Sequence, residues 1–175
     1  MSIKIGIVGY GYWGPNLVRN FNVTDGCEVT AVCDLDEKRL DQARKDSPAS
    51  EMFTDFDTFL RHDLDAIAVS TPVSSHFPLA LQALETGKHV LIEKPMAESS
   101  EQAERLIEAA ELRNLTLMVD HTFIYTGAVR KIHQLYQGGE LGKMHYFDST
   151  RINLGLYQHD VDVIWDLAVH DLSIL

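Results

Sequence analysis

At 175 residues, the chain is long enough for one ordinary domain, or for one domain and the beginning of another. An apolar share of 45% and a charged share of 23% suit a soluble globular protein that can bury a real core. A net charge of −11 argues against a nucleic-acid or anionic-membrane surface, and no apolar run approaches the ~18 residues of a membrane span.

The opening "IKIGIVG" predicts a strand. It lacks the basic, apolar and small-residue sections of an export signal, so the expected location is the cytoplasm. Cys27 and Cys33 are then expected as reduced thiols. A glycine loop and a helix near 15–21 follow. "EVTAVCD" predicts a second strand, "DEKRLDQARKD" a helix, "EMF" a short strand and "FDTFLRH" a helix. "DAIAVS" and "HVLIEK" are strands around the helix "FPLALQALETG". "SEQAERLIEAAELRN" is an amphipathic helix, and "LTLMVD" a further strand. Short Ile/Val-rich strands alternating with helices predict an α/β fold with a Rossmann-type doubly wound parallel sheet. This first domain is expected over residues 1–122.

From 123 to 175 the pattern changes, as expected for the start of a second domain. A helix near 126–137 leads to a turn at "QGGELGK". "MHYFDSTRINLG" alternates and predicts a long antiparallel-type strand. "VDVIWDLAVHDLSIL" has helical periodicity.

Chemistry concentrates at the predicted strand ends. Gly9, Gly11 and Gly14 have G-x-G-x-x-G spacing between the first strand and the first helix. That spacing allows a tight turn, close approach of a pyrophosphate to the backbone, and close helix–strand packing. The second strand ends at Asp34, where an acid would accept from adenosine ribose hydroxyls and repel a 2′-phosphate. NAD is therefore expected over NADP. Thr71 and Pro72 would lie beside the cofactor, and His76 either joins them or caps the next helix. Glu93 and Lys94 follow an apolar strand, and Pro95 restricts the backbone of Lys94. Asp166 and His170 stand four residues apart and so share a helix face.

Taken together, "VGYGYWG", "STPVSSH", "EKP" and a later D-x-x-x-H resemble the Gfo/Idh/MocA family of NAD(P)-dependent sugar oxidoreductases. "GYGYWGPN" and "RINLG…DVIWDLAVHDLSIL" look most like its branch of sugar-nucleotide 3-dehydrogenases, which act on UDP-N-acetylglucosamine or its uronic acid. The resemblance implies a second, α+β domain with an open, mostly antiparallel sheet, and hydride transfer between a sugar carbon and nicotinamide. It makes Lys94, Asp166 and His170 the catalytic residues. It places Tyr12 and Trp13 in the phosphate loop, and Thr71, Pro72, His76, Glu93 and Lys94 among the cofactor contacts. Tyr125, Arg151, Asn153 and His159 are further candidates to face the substrate, together with Lys94 and His170. Expected partners are a sugar or nucleotide sugar and further copies of the chain, with no nucleic acid, membrane or metal. Family members carry much more chain beyond the last helix, so a C-terminal continuation is expected.

Overall fold

A computed structural model describes residues 2–152 and 161–175. The chain forms two compact units, Met1–Val119 and Asp120–Leu175.

In the first unit, strands and helices alternate strictly. They are β1 (Ile3–Val8), α1 (Gly14–Val23), β2 (Cys27–Cys33), α2 (Glu37–Asp46), β3 (Glu51–Phe53) and α3 (Phe56–Leu60). They continue with β4 (Ala66–Val69), α4 (Val73–Glu85), β5 (His89–Ile92), α5 (Ser100–Leu112) and β6 (Leu117–Val119). The strands form one parallel sheet in the order β3-β2-β1-β4-β5-β6. This is the doubly wound Rossmann topology expected from the alternation.

Both faces of the sheet are covered, which is why its strands read as nearly unbroken apolar runs. Ile5, Ile7, Val29 and Val32 pack with Val18 of α1 and with Leu40 and Ala43 of α2. Val8, Ala31, Ile67, Val69 and Ile92 turn the other way, onto Phe59, Leu84 and Leu106. Successive strand residues point to opposite faces, so each central strand feeds both layers.

Local signals place most helix starts. The side chains of Asp36, Asp55 and Ser99 cap α2, α3 and α5 by accepting from backbone N–H groups in the first turn. One boundary differs from the expectation. Helix α4 starts at Val73, not near 77, and carries Pro78 inside it. Its opening turn is held by His76, a contact that local propensity does not carry.

The second unit contains a 3₁₀ turn (Thr122–Tyr125), α6 (Gly127–Gln137), a π-helical stretch (Ile164–Ala168) and α7 (Val169–Ile174). The 3₁₀ turn packs on α6 and α7. The strand expected over 144–155 is corrected: residues 144–152 pair with no other strand among the described residues, and 153–155 lie outside them. A strand persists only where a neighbour accepts and donates along its length, and alternation alone supplies no neighbour. The last helix is also not uniformly α. Asp166 sits in the wider π turn and His170 in α7, so their four-residue spacing crosses a junction between the two. Among the described residues, no helix is long and apolar enough to cross a membrane.

Candidate functional site

Strand register assembles the site in the first unit. Val8 pairs with Cys33 on one side and Val69 on the other, and Val69 pairs with Ile92. The residues that follow, Gly9, Asp34, Ser70 and Glu93, therefore leave the sheet in one row. Backbone bonds tie the row together. Gly9 N–H donates to Cys33 (2.8 Å), Ser70 N–H to Val8 (2.8 Å) and Glu93 N–H to Val69 (2.9 Å). The order reverses between β1 and β4, and ligands of such sheets sit in the crevice at that point, beyond the carboxyl ends of the strands. The two helices that follow those strands, α1 and α4, start without a side-chain cap. The N-terminus of a helix carries the positive end of its dipole and suits an anion.

The three glycines of the loop answer to different demands. Gly9 has φ +91°, and a side-chain carbon there would lie 2.7 Å from the Ser70 carbonyl oxygen. A carbon on Gly14 would strike the Gly9 carbonyl oxygen. Both positions are closed by the protein itself. Gly11 is different: the nearest atom to its missing carbon is Arg39 Nη1, at 3.7 Å. Nothing in the fold requires glycine there, whereas a phosphate meeting the backbone does. The residues present thus fit a dinucleotide pyrophosphate at the N-terminus of α1. Tyr12 and Trp13 stand at the rim, 72% and 46% exposed, with their rings edge to face.

Asp34 lies where expected, just past the end of β2, and is tied into the backbone around it. It is 7% exposed. Oδ2 accepts from Tyr10 N–H at 2.6 Å, and Oδ1 accepts from Asp36 N–H at 2.8 Å. The acid therefore clamps the glycine loop to the start of α2. Arg39 reaches within 3.5 Å of Oδ2. Sequence inspection does not single out Arg39; the cue available was its place one turn into the helix that follows the ribose acid. Beside Asp34, burial and then the charges of Asp34 and Asp55 push the Cys33 thiol up to about 12. Cys33 stays a protonated core residue.

His76 is 1% exposed and lies in the interior, not at the surface. Nδ1 lies 2.9 Å from the Pro95 carbonyl oxygen and Nε2 lies 2.8 Å from that of Thr71. The ring braces the loop after β4 against the loop after β5. It therefore acts on Thr71, Pro72 and Lys94 through their backbone. The Lys94–Pro95 peptide is cis, and Glu93 is buried beneath the mouth of the sheet. A His76→Leu variant nearly keeps the volume and removes the ring nitrogens that meet the Thr71 and Pro95 carbonyls. It is expected to lose roughly 2–4 kcal/mol in urea unfolding, and a loss under about 0.5 kcal/mol would defeat the bracing role.

In the second unit, His170 is 8% exposed, so it is not a solvent-facing helix residue. The Phe123 ring meets it at 4.8 Å, nearly edge to face. Arg151 lies over the same Phe123 ring at 4.6 Å, and its Nε donates to Asp171 Oδ2 at 2.7 Å. The Arg151 hydrogen bond, with help from Ser149, holds the Asp171 carboxyl below its ordinary range. Arg151 was expected to share a strand face with Asn153. It is instead tied into the cluster around His170, and Asn153 and His159 lie outside the described residues. Tyr125, 49% exposed, ends the 3₁₀ turn with the Arg130 guanidinium 5.7 Å over its ring. Phe123 and Asp171 carry no motif and were not legible as parts of this cluster.

Residues 3–121 match the family model described as an oxidoreductase family with an NAD-binding Rossmann fold. Among curated relatives, a glycosyl hydrolase family 109 protein of a Shewanella species (strain ANA-3) is 28% identical over 162 residues. The UDP-N-acetylglucosamine 3-dehydrogenase of Acidithiobacillus ferrooxidans is 28% identical over 182 residues. The alignments cover 87% and 99% of this chain, but the chain spans only 36% and 53% of those relatives. Among solved structures, scyllo-inositol dehydrogenase from Lactobacillus casei, with bound NAD(H) and scyllo-inositol, is 30% identical at a TM-score of 0.77. That match covers 81% of this chain and 43% of the dehydrogenase.

Proposed function

The chain belongs to the Gfo/Idh/MocA family of NAD-binding oxidoreductases, and we propose that it serves an NAD-dependent dehydrogenation of a sugar carbinol. The preferred substrate in this reading is a UDP-N-acetylhexosamine or its uronic acid, oxidised at C3. The observation that carries it is the row at the switch point: a cradle after β1 whose Gly11 is needed by no part of the protein, with Lys94 after β5, two strands along. The relative that acts on UDP-N-acetylglucosamine supports the sugar-nucleotide branch. The inositol-binding neighbour supports free cyclitols as the second reading.

Bound nicotinamide supplies the carbon that accepts hydride. The chain's own residues do the rest. The backbone of 9–14 and the start of α1 hold the pyrophosphate, and Asp34 offers its remaining lone pairs to the ribose. Lys94 donates to the substrate oxygen and stabilises the negative charge that grows there as C–H is broken. His170 removes the hydroxyl proton, and Asp166, about one turn away, orients the ring or favours its protonated form. The carbinol loses one hydride and one proton and becomes a ketone.

The test is NADH formation, followed by absorbance, with UDP-N-acetylglucosamine, its uronic acid, scyllo-inositol and simple aldoses. Turnover with a UDP sugar well above the others supports the first reading. Turnover confined to cyclitols selects the second, and none with any of them removes both.

A further inference from the structure

The second unit gathers one cluster from three separate stretches of chain. Phe123 lies in the 3₁₀ turn, Arg151 in the segment after α6, and His170 and Asp171 in α7. The Arg151 guanidinium sits 4.6 Å over the Phe123 ring, and its Nε donates to Asp171 Oδ2 at 2.7 Å. The same ring meets the His170 imidazole at 4.8 Å and 68°. The side chains of Arg151 and Asp171 are only 25% and 21% exposed. A pair this shielded, with one partner also seated on an aromatic face, differs from a loose surface pair that contributes little. The Arg151 hydrogen bond holds the Asp171 carboxyl low, and the charge of His170 acts in the same direction. The titratable and charged groups of the elements packed with α7 are Asp166 of the π stretch and Tyr125 of the 3₁₀ turn, with His121 just before that turn.

We infer that Arg151 and Asp171 are positioning residues for His170: their ion pair fixes the Phe123 ring, and that ring sets the direction of the imidazole. The inference rests on the reading of His170 as the base. An imidazole turns about two side-chain bonds, and a general base works only within hydrogen-bond reach of the proton it takes. The Phe123 ring closes off part of that rotation. Arg151, seated on the ring and tied down by Asp171, keeps the ring from giving way. The pair is neutral as a whole, so it holds the ring without adding net charge beside it. Removing either partner leaves the charge of the other uncompensated.

That last property gives the test a sign. In NMR of the 175-residue chain labelled at histidine carbons, His170 is identified by the signal lost in His170→Asn. Arg151→Met leaves the Asp171 charge alone and should raise the midpoint of the His170 titration. Asp171→Asn leaves the Arg151 charge alone and should lower it. The double variant should return toward the wild type. In the protein that shows turnover, the acid limb of kcat should move in the same two directions. Phe123→Leu should lower kcat by at least about ten-fold and change KM by less than about three-fold, while Phe123→Tyr, which keeps the ring, should recover most of the loss. Shifts of the same sign in the two charge variants, or none, would overturn the inference. So would wild-type kcat in Phe123→Leu. Full turnover in His170→Asn would remove the base reading itself. Lost turnover there, with unmoved limbs in the charge variants, would remove the inference alone. Should Arg151→Met or Asp171→Asn fail to melt like the wild type, Arg151→Gln and Asp171→Ser carry the same two signs.

Discussion

Gly11→Ala is expected to melt with the wild-type chain and yet lose at least about ten-fold in NADH affinity. The two halves have separate physical causes. In the protein alone, the added carbon meets only the far end of Arg39, at 3.7 Å, an ordinary contact with a flexible group. Unfolding should therefore shift within about 0.5 kcal/mol, as for an unremarkable surface change. With a dinucleotide present, the same carbon stands where the pyrophosphate must approach the backbone. Charge-assisted bonds from loop N–H groups are worth about 1.5–3 kcal/mol each, and losing one or two exceeds ten-fold. Gly9→Ala reverses the pattern. A residue with a side chain at φ +91° is strained, and its carbon would press on the Ser70 carbonyl. A loss of roughly 2–4 kcal/mol is expected, read as a fall of roughly 5–15 °C in melting temperature. If Gly11→Ala melted early while binding survived, the cradle would be structural and the site reading would fail.

In the protein that shows turnover, Lys94→Met and His170→Asn should each lower kcat by roughly 10²–10⁴-fold, the range for removing a positioned acid or base. Lys94→Met keeps the length of the stem and deletes the charge. His170→Asn keeps a polar group beside Phe123 and removes the titratable ring. The pH profile adds a second reading. A base acting on the hydroxyl must be neutral before hydride leaves, so wild-type kcat should rise with pH and then level off. That limb should vanish in His170→Asn, while a merely structural role for the ring would leave it in place. Asp166→Asn should move the limb without abolishing turnover, because it acts through His170. If both main variants kept near-wild-type rates, the chemistry would lie elsewhere.

The glycine loop, the terminal acid of β2, and Lys94 at the end of β5 were readable from the chain because each depends on neighbours a few residues away. A turn that needs glycine, a strand that needs Ile and Val, and a cap that needs Asp or Ser leave local marks. The mistaken features share the opposite property. The alternation over 144–155 has the period of a strand, but pairing needs a partner, and residues 144–152 have none among the described residues. The start of α4 was placed late because Pro78 reads as a helix opening, whereas the buried ring of His76 supports the turn before it. The partners that hold Arg151, Asp171 and Phe123, lie about twenty and thirty residues away, so no local pattern shows them.

By itself, then, the sequence determined the alternation of strand and helix, the parallel sheet that follows from it, and the glycine spacing that makes a phosphate seat. These are consequences of local backbone preference and of burial on both faces of short strands. Only the tertiary structure decided that Asp34 clamps the loop through Tyr10, that Arg39 covers that acid, and that His76 spans two loops. It likewise placed Phe123 between Arg151 and His170. Such contacts follow from how segments distant in sequence pack together, and no periodicity along the chain encodes that.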